Sequence, residues 1–442
     1  MLKRVTLIVA AVALAMPVCA ALSTQAQAAD LCAPLPLGDG EVINVSTAEE
    51  LWQAVVADKT PDRIILLADG TYDLGTIADV GHYFWIDTPG LSIRSASGDR
   101  DSVILDGGYR QNALTLVASD ITVADLTVTR SRTIGIHVIS SDKGDTLNTT
   151  IHNVRIVDPG EHAFKANRHE KRVHYSDNGT IACSHFELTD KGRQKVLELN
   201  GDCYTGGINI HLSRGWHVHD NIIEGFWCPT GLSEHAAVFK TGSRDTVVER
   251  NRMINNARGI GFVLYDNISS HTAGVRTYSD NPCPEVKGSY IEHYGGVIRN
   301  NFIYADNPKL FASEAGHDSG INLWHACGAK VLHNTVFSTQ KPFSSIEWRW
   351  PNTTALIANN LVSHNLMTRQ GAKVEQKKNI TTAPASLFAD ASRGDLHIKA
   401  TARQAIDRAA ELGPKDCPDD MDGEVRPAGA AADIRADEHV GG

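Results

Sequence analysis

The sequence has few features of a nucleic-acid-binding or zinc-binding protein. Its 42 Lys and Arg residues are outnumbered by 52 Asp and Glu, which gives a formal net charge of −10. Because DNA and RNA are bound through basic surfaces that neutralise phosphates, we do not expect a nucleic-acid partner. The chain has 8 cysteines, but none of them forms a Cys-x-x-Cys pair. This arrangement disfavours a structural zinc site.

Long apolar runs are also absent, except near the amino terminus. There, Lys3 and Arg4 precede an apolar run over residues 5–22, and small residues follow at 26–29. A basic start, an apolar run and a small-residue cleavage site are typical of a secretory signal peptide. We therefore expect residues 1–29 to be removed and the mature chain to be secreted or periplasmic, without a membrane span. A membrane anchor is the alternative interpretation.

Removal of the signal would take away Cys19 and leave 7 of the 8 cysteines. An oxidising compartment permits disulfide bonds between them. We expect Cys183 to pair with Cys203 and Cys228 with Cys283, because each pair would close a suspected loop insertion. Since the remaining number is odd, at least one thiol is left without a partner in the chain.

The strongest pattern is a short recurring string of the form apolar–x–polar–Asn–x–apolar. Four of the intervals between its copies lie between 26 and 33 residues, which is typical of solenoid repeats. The two longer intervals, of 68 and 50 residues, indicate one coil plus an insertion, near residues 165–205 and 266–296. The Asn residues of the string are Asn153, Asn221, Asn251, Asn301, Asn334 and Asn360, and an earlier copy has Asp125 in their place.

Each copy combines two short β-branched strands with a polar break between them. We expect the Asn at the break to adopt left-handed backbone angles and to hydrogen-bond the Asn of the next coil. Further strands between the copies begin at glycines, namely Gly135, Gly206, Gly259 and Gly320. The predicted fold class is all-β, a single-stranded right-handed parallel β-helix. An antiparallel sandwich would instead show hairpin turns every 8–12 residues or so.

Both ends of the predicted solenoid have features of caps. Ser46 and Glu49 form a capping-box pattern that opens a short helix through Val56, and residues 63–72 follow as the first strand and turn. End coils need such caps because they expose core and open strand edges. The predicted domains are residues 30–75 as the amino-terminal cap and first coil, 76–400 as the β-helix, and 401–442 as a tail over the last coil.

Taken together, these features resemble the secreted right-handed β-helix proteins of the pectate lyase superfamily. The resemblance rests on the short helix, the Ala-Asp-Gly-Thr-Tyr turn that ends at Tyr72, the Asn repeat and the Asp-Gly-x-x-Arg-Pro motif that ends at Pro427. It covers residues 40–435. That superfamily contains lyases, hydrolases, epimerases and phage adhesins, so the resemblance implies the fold and leaves the activity open.

The first suspected insertion is basic although the chain as a whole is acidic. Histidine, lysine and arginine recur seven times within residues 162–174. Such a segment favours docking of an anionic polysaccharide, and a solvated surface loop is the alternative. Tryptophans of the repeat region, including Trp216, Trp324, Trp348 and Trp350, could stack on sugars or pack in the core. The candidate substrate-binding residues are His162, Arg168, Lys171, Arg172 and Trp227.

Two segments echo each other, because each places Glu-His and then a Lys on a strand whose Phe points inward. They are residues 160–165 and 233–240, with Lys165 and Lys240 as the outward lysines. The stretch from Glu234 to Tyr265 resembles the catalytic coils of the chondroitinase B and alginate lyase group. The resemblance implies that Glu234 lies in the metal-binding region, with Ca²⁺ as the possible cofactor, and that Lys240 lies near the base.

The implied reaction is β-elimination on a uronic acid, which needs a neutralised carboxylate, a base and an acid. Arg258, His235 or a Ca²⁺ ion at Glu234 could neutralise the carboxylate. Lys240 could be the base if burial and Arg258 lower its pKa, and Lys165 is the alternative base. Tyr265 or His235 could protonate the leaving oxygen.

Other functions remain open at this point. A hydrolase of the polygalacturonase type would need paired carboxylates on the groove, and the only Asp-Asp pair, residues 419–420, lies in the tail. A C5-epimerase would share the proton abstraction. A non-catalytic glycan-binding or adhesin-type protein is the alternative from a different class.

Overall fold

The computed structural model describes residues 31–168, 173–263, 275–280, 283 and 291–439. The expected signal peptide lies outside these residues, and so do Lys171, Arg172 and Tyr265. Within the described part of the chain, no helix is both long and apolar enough to cross a membrane.

Three long parallel sheets run side by side along the molecule, and the chain visits them in the same order in every coil. Sheet 1 has 14 strands, and sheets 2 and 3 have 10 each. Each strand pairs in parallel with the strand one coil earlier and one coil later, as the registers throughout the solenoid confirm. The predicted parallel β-helix is therefore confirmed.

The strand bounds are as follows. Sheet 1 comprises Glu41–Val45, Arg63–Leu67, Ser92–Ser95, Thr122–Ala124, Thr150–His152, Thr180–Ala182, His217–His219, Val247–Glu249, Val297–Arg299, Ala326–Leu332, Thr354–Ala358 and Glu375–Lys377, with Ser243–Arg244 and His293–Tyr294 attached. Sheet 2 comprises Gly70–Asp73, Val103–Asp106, Thr127–Thr129, Arg155–Val157, His185–Glu187, Ile222–Glu224, Arg252–Ile254, Phe302–Ala305, Thr335–Ser338 and Leu361–Val362. Sheet 3 comprises Trp85–Ile86, Leu114–Leu116, Ile136–Ile139, His162–Asn167, Gly206–His211, Ala237–Lys240, Arg258–Phe262, Ser319–Trp324, Ser344–Arg349 and Leu366–Arg369.

The described helices are short and lie outside the sheets. They are Ala48–Trp52, which continues as the wider turn Gln53–Ala57, then Leu74–Asp79, Asp190–Asn200 and Pro308–Phe311, and the single 3₁₀ turns Ala385–Leu387 and Ala391–Arg393. The first helix is capped by Thr47, whose hydroxyl accepts from the backbone N–H of Glu50, while the Glu50 carboxylate accepts from the backbone N–H of Ser46. The capping box is therefore Thr47 with Glu50, one residue later than predicted.

An asparagine ladder runs through the core at the corner between sheets 1 and 2. The Nδ2 of each ladder Asn donates to the Oδ1 of the Asn one coil later at 2.9–3.0 Å. The buried amides therefore satisfy one another, as predicted. The ladder consists of Asn221, Asn251, Asn301, Asn334, Asn360 and Asn379.

Two details of the predicted ladder were wrong. The left-handed residue is the one before each ladder Asn, for example Asp220 at φ 57° and Arg250 at φ 52°. Asn153 and Asp125 are themselves left-handed, at φ 51° and 57°, and hydrogen-bond each other outside the ladder. The ladder begins instead at Ser184, whose N–H donates to Asn221 Oδ1 at 2.9 Å.

The interval of 68 residues between Asn153 and Asn221 contains two coils, not one coil and a loop. The strands Thr180–Ala182 and His185–Glu187 pair with both neighbouring coils, so they belong to the solenoid. The sequence pattern missed this coil because Ser184 occupies the ladder position. Among the described residues of this interval, the helix Asp190–Asn200 is an addition to the repeat.

The disulfides are Cys32–Cys183, Cys203–Cys228 and Cys283–Cys327, and Cys417 is a buried free thiol. Both predicted pairings were wrong. Cys183 lies at the left-handed corner after Thr180–Ala182, where the amino-terminal segment crosses the solenoid. Two cysteines come close in space when they lie one coil apart, or when one of them lies on a segment that crosses the solenoid. The spacing of cysteines in the sequence does not reveal which segment crosses the solenoid.

The carboxy-terminal part of the chain packs against the side of the solenoid. Phe388, Leu396 and Met421 join a buried apolar cluster with Phe302 and Phe337, which project from sheet 2. Beyond this cluster the chain returns along the corner between sheets 1 and 2, where Asp419 accepts from Arg250 and Asn300. There Gly423 lies against Leu31 of the amino-terminal segment.

Candidate active site

The outer face of sheet 3 carries a continuous row of side chains, because each strand is in register with the next. Trp85 pairs with Thr115, Thr115 with His137, His137 with Lys165, and Lys165 with Asn209. Side chains alternate along a strand, so Phe164 points into the core while Lys165 points outward. One strand beyond Asn209, Lys240 lies beside His211. Lys165 and Lys240 therefore share one face.

Polar groups are concentrated around Lys240 in the middle of this face. Its ammonium lies 3.7 Å from Glu234 Oε1, and the residue is only 2 % exposed. The Asn209 amide donates to His162 Nε2 at 2.9 Å, which leaves the proton of the neutral ring on Nδ1. His211 completes the group, which we call the Lys240 cluster: His162, Lys165, Asn209, His211, Glu234 and Lys240.

Several buried atoms of the Lys240 cluster have no hydrogen-bond partner among the described residues. They are His162 Nδ1, Asn209 Oδ1, His211 Nε2 and Glu234 Oε2. Buried polar atoms are usually satisfied, because an unmade hydrogen bond costs about 1–3 kcal/mol. Several such atoms in one group on an outer sheet face are typical of a site that completes its hydrogen bonds with a ligand.

Burial governs the acid–base properties of the cluster. It lowers the pKa of Lys240, although Glu234 and Glu292 act in the opposite direction. Burial and then the charge of Lys240 lower the pKa of Lys165. The pKa values of His162 and His211 lie well below the usual range, first because of burial and then because of the two lysines. Both imidazoles are therefore neutral at neutral pH.

The other residues proposed for catalysis lie further along sheet 3. His235 is buried and hydrogen-bonds Asn322 through Nε2 at 3.0 Å. Arg258 donates to Asp318 at 2.9 Å, and its charge contributes to lowering the pKa of His235 after burial. The expectation that Arg258 would lower the pKa of Lys240 is wrong, since burial is the cause.

Three of the tryptophans considered for sugar binding, Trp216, Trp227 and Trp348, lie away from this face. Trp227 is buried beneath Arg193, whose guanidinium lies 4.3 Å from the ring centroid, so it is not placed to contact a chain on sheet 3. Trp216 packs on Phe164 in the core. Alternation along Trp348-Arg349-Trp350 predicts that both rings share one face, but Trp348 lies in the core while Trp350 packs outside it. The backbone of Trp350 is left-handed at φ 75°, which breaks the alternation.

The surroundings of Glu234 do not suit calcium. Ca²⁺ takes six to eight oxygen ligands or so, whereas the Lys240 ammonium, a cation, lies 3.7 Å from Glu234 Oε1. Sets of three possible metal ligands do occur among the described residues, at His185, Glu187 and Glu224 and at His397, Asp422 and Asp437. Glu234 belongs to neither set.

Sequence reasoning missed three residues of the site. Asn209 and His211 lie on a strand that begins at a recognisable glycine, but nothing local marks its polar residues as part of a site. Tyr204 was also missed: its ring packs edge-on against His162 at 4.8 Å, and it is 38 % exposed. The neighbouring Cys203 forms a disulfide bond with Cys228, which fixes the start of the strand Gly206–His211 beside the cluster. Arg168 is partly buried and directly follows the strand His162–Asn167.

At the level of sequence, no protein-family model and no curated protein matches this chain. Among solved structures, it is similar to an alginate lyase from Paenibacillus sp. strain FPU-7, with a TM-score of 0.53 and 17 % identity over 76 % of this chain and 99 % of that one. It is also similar to the pectate lyase Pel9A, with a TM-score of 0.50 and 14 % identity over 91 % of this chain and 97 % of that one. The chain thus has the right-handed parallel β-helix fold of these structures.

Proposed function

We propose that this protein is a polysaccharide lyase that cleaves a uronic-acid-containing chain by β-elimination at the Lys240 cluster. The observation that carries the proposal is the buried Lys240 on an outer sheet face, surrounded by polar atoms that lack partners. The shared fold with an alginate lyase and a pectate lyase supports the same reaction class.

Lys240 is the proposed base, because burial lowers its pKa and a deprotonated lysine can accept a proton. It takes the proton from C5 of the sugar, the C4–O4 bond breaks, and a double bond forms between C4 and C5. Lys165 forms no ion pair with a described residue, and its protonated form can neutralise the substrate carboxylate. The neutral His162 ring and the Asn209 amide offer further hydrogen bonds to the substrate carboxylate.

The leaving O4 needs a proton from an acid. Tyr204 is the candidate that the fold supports best, because its half-exposed ring contacts His162. His235 is less well placed, since Asn322 already engages its Nε2. Tyr265, which the sequence suggested, lies outside the described residues.

The decisive experiment measures the ultraviolet absorbance of unsaturated uronide products from alginate, chondroitin and pectate. We expect Lys240→Ala to reduce kcat at least 10²-fold on the polymer that the wild type cleaves, in line with the loss of a general base. Lys373→Ala is the matched control, because Lys373 is exposed and distant from Lys240 in the sequence. This variant should retain full activity. Full activity in Lys240→Ala would contradict the proposed base.

The pH profile of kcat provides a second readout. Lys240 must lose its proton to act, so activity should rise with pH along a limb that lies below the ordinary lysine pKa of 10.5, because burial lowers the pKa of Lys240. A C5-epimerase would invert the sugar without producing an absorbing product. A protein that only binds glycans would give neither signal, and either result would overturn the lyase assignment.

Export of the protein is part of the proposal. Three disulfides form most readily in an oxidising compartment, and extracellular polymers are found there. Amino-terminal sequencing of the mature protein should place its first residue near position 30. An uncleaved chain would contradict the expected signal peptide.

A further inference from the structure

We propose that Tyr83, Trp85 and Arg132 form a distal sugar-binding subsite for an anionic polysaccharide, at the amino-terminal end of the sheet 3 face. This inference rests on the proposed function, because it places the chain on the same face as the Lys240 cluster. It adds a second region of contact that sets the preference for long chains.

The register of sheet 3 connects this region directly to the cluster. Trp85 begins the outer row that continues through Thr115 and His137 to Lys165. Neighbouring strands lie about 4.8 Å apart, so Trp85 is about 14 Å from Lys165 along the row. The strand of Lys240 lies two strands further on, about 24 Å from that of Trp85. A chain of several sugars on this face can therefore reach both regions.

The surface near Trp85 is a pocket of about 380 Å³, a size typical of small-ligand sites. Tyr83 is 61 % exposed and Trp85 47 % exposed, although both are large aromatic residues. Exposed aromatic rings beside polar groups are typical of recognition surfaces, because a Tyr or Trp side chain has an apolar ring for packing and a polar atom that can contact water. His137 lines the same pocket on the side of Lys165.

Arg132 gives the pocket a positive charge. It lines the pocket, is partly buried and forms no ion pair with any described residue. Two nearby arginines differ in this respect, since Arg110 pairs with Asp79 at 2.8 Å and Arg130 pairs with Asp106. Glu161 is near enough for Arg132 to influence its pKa, but it lies beyond ion-pair distance. An unpaired guanidinium in a pocket is suited to bind a carboxylate through two hydrogen bonds.

These observations indicate a different role in substrate binding for each of the two regions. The aromatic rings stack against the apolar face of one sugar, and Arg132 binds the carboxylate of that sugar or its neighbour. The distal subsite holds the chain along sheet 3, so that another sugar lies over Lys240. Substrates too short to span both regions cannot use the distal contacts.

The test compares long and short uronic-acid-containing oligosaccharides, ten and three sugars in length, prepared from alginate, chondroitin and pectate. We expect Trp85→Ala and Arg132→Gln each to lower the ratio of kcat/KM for the long chain to that for the short chain, by about tenfold. Arg130→Gln is the matched control, because Arg130 is an arginine two positions away that is engaged by Asp106. Its ratio should equal that of the wild type.

Calorimetric binding of the same oligouronides to Lys240→Ala separates this inference from the proposed function. If the wild type cleaves and the ratio is unchanged in both distal variants, the subsite is overturned and the lyase assignment stands. If no polymer is cleaved, but long chains bind and Trp85→Ala weakens this binding, the lyase assignment is overturned and the subsite stands. If the wild type neither cleaves nor binds, both are overturned.

Discussion

Two histidines, His211 and His397, acquire opposite properties from their surroundings. Burial next to lysines holds the pKa of His211 well below its ordinary value, so its ring is neutral and can donate or accept a hydrogen bond. His397 is hydrogen-bonded to Asp422 at 2.9 Å and contacts Asp395 as well, and these carboxylates raise its pKa to about 9. The charge state of each ring is therefore set by its partners.

The raised pKa of His397 predicts a specific dependence of stability on pH. The protonated ring is stabilised in the folded state, relative to an ordinary histidine pKa of 6.5. This contribution is fully present below about pH 6.5 and is lost as the pH rises through about 9. We expect the urea midpoint of the wild type to fall across this window and that of His397→Gln to fall less. Parallel curves for the two proteins would contradict the assignment.

At the scale of the element, the asparagine ladder is the feature whose removal should cost most. Asn251 Oδ1 accepts from both the backbone N–H and the Nδ2 of Asn221, and its own Nδ2 donates to Asn301 Oδ1 and to Val218 O. All these groups are buried, so Asn251→Ala would leave several of them without partners.

We expect Asn251→Ala to lower the free energy of unfolding by about 3 kcal/mol or more, because each unmade buried hydrogen bond costs about 1–3 kcal/mol. The measurement is the midpoint of urea unfolding monitored by circular dichroism. Asn44→Ala is the control, since Asn44 is an exposed strand residue, and its midpoint should match that of the wild type. A small effect at Asn251 would show that solvent or a neighbouring side chain replaces the amide.

At the scale of the whole molecule, the first and last described segments pack against the side of the solenoid. The disulfide Cys32–Cys183 fixes the amino-terminal segment, and Arg94 donates to the carbonyls of Leu35 and Pro36. The carboxy-terminal part covers apolar residues of sheet 2 that would otherwise face water. The stability of the last coils thus depends on a carboxy-terminal segment that is not part of the repeat.

This dependence can be tested at Phe388, which is 1 % exposed and packs edge-on against Phe337 at 5.2 Å. We expect Phe388→Ala to cost about 3–5 kcal/mol and to make residues 384–439 sensitive to limited proteolysis while the coils persist. Phe343→Ala is the control, because Phe343 is 47 % exposed. Equal proteolysis of the two variants would mean that the cluster does not hold the tail.

Much of the fold could be predicted from the sequence, because the residues that define each coil are local. Interval lengths, β-branched strands and the asparagines at Asn221 through Asn360 are sufficient to indicate stacked parallel coils. The coil marked by Ser184 does not follow from this pattern, since serine fills the ladder position in place of the recurring asparagine. Alternation along single strands was also sufficient to place Lys165 and Lys240 on an outer face.

The site required more than local pattern. Tyr204, Asn209 and His211 join Lys240 only because sheet 3 brings residues of successive coils into register, and no spacing in the sequence gives that register for coils of unequal length. The same reason explains why Trp85 and Lys165 share one row although they are far apart in the chain. It also explains why both predicted disulfides were wrong, since Cys32 reaches Cys183 on a segment that runs across the repeat.

The sequence by itself determined the repeating coil, because hydrophobic alternation and the amide break act over a few residues and recur in each copy. The tertiary structure alone decided which side chains meet, how deeply Lys240 is buried and where the first and last described segments lie. These properties depend on the lateral register of many strands and on the desolvation that their packing produces, and neither is encoded in any one segment.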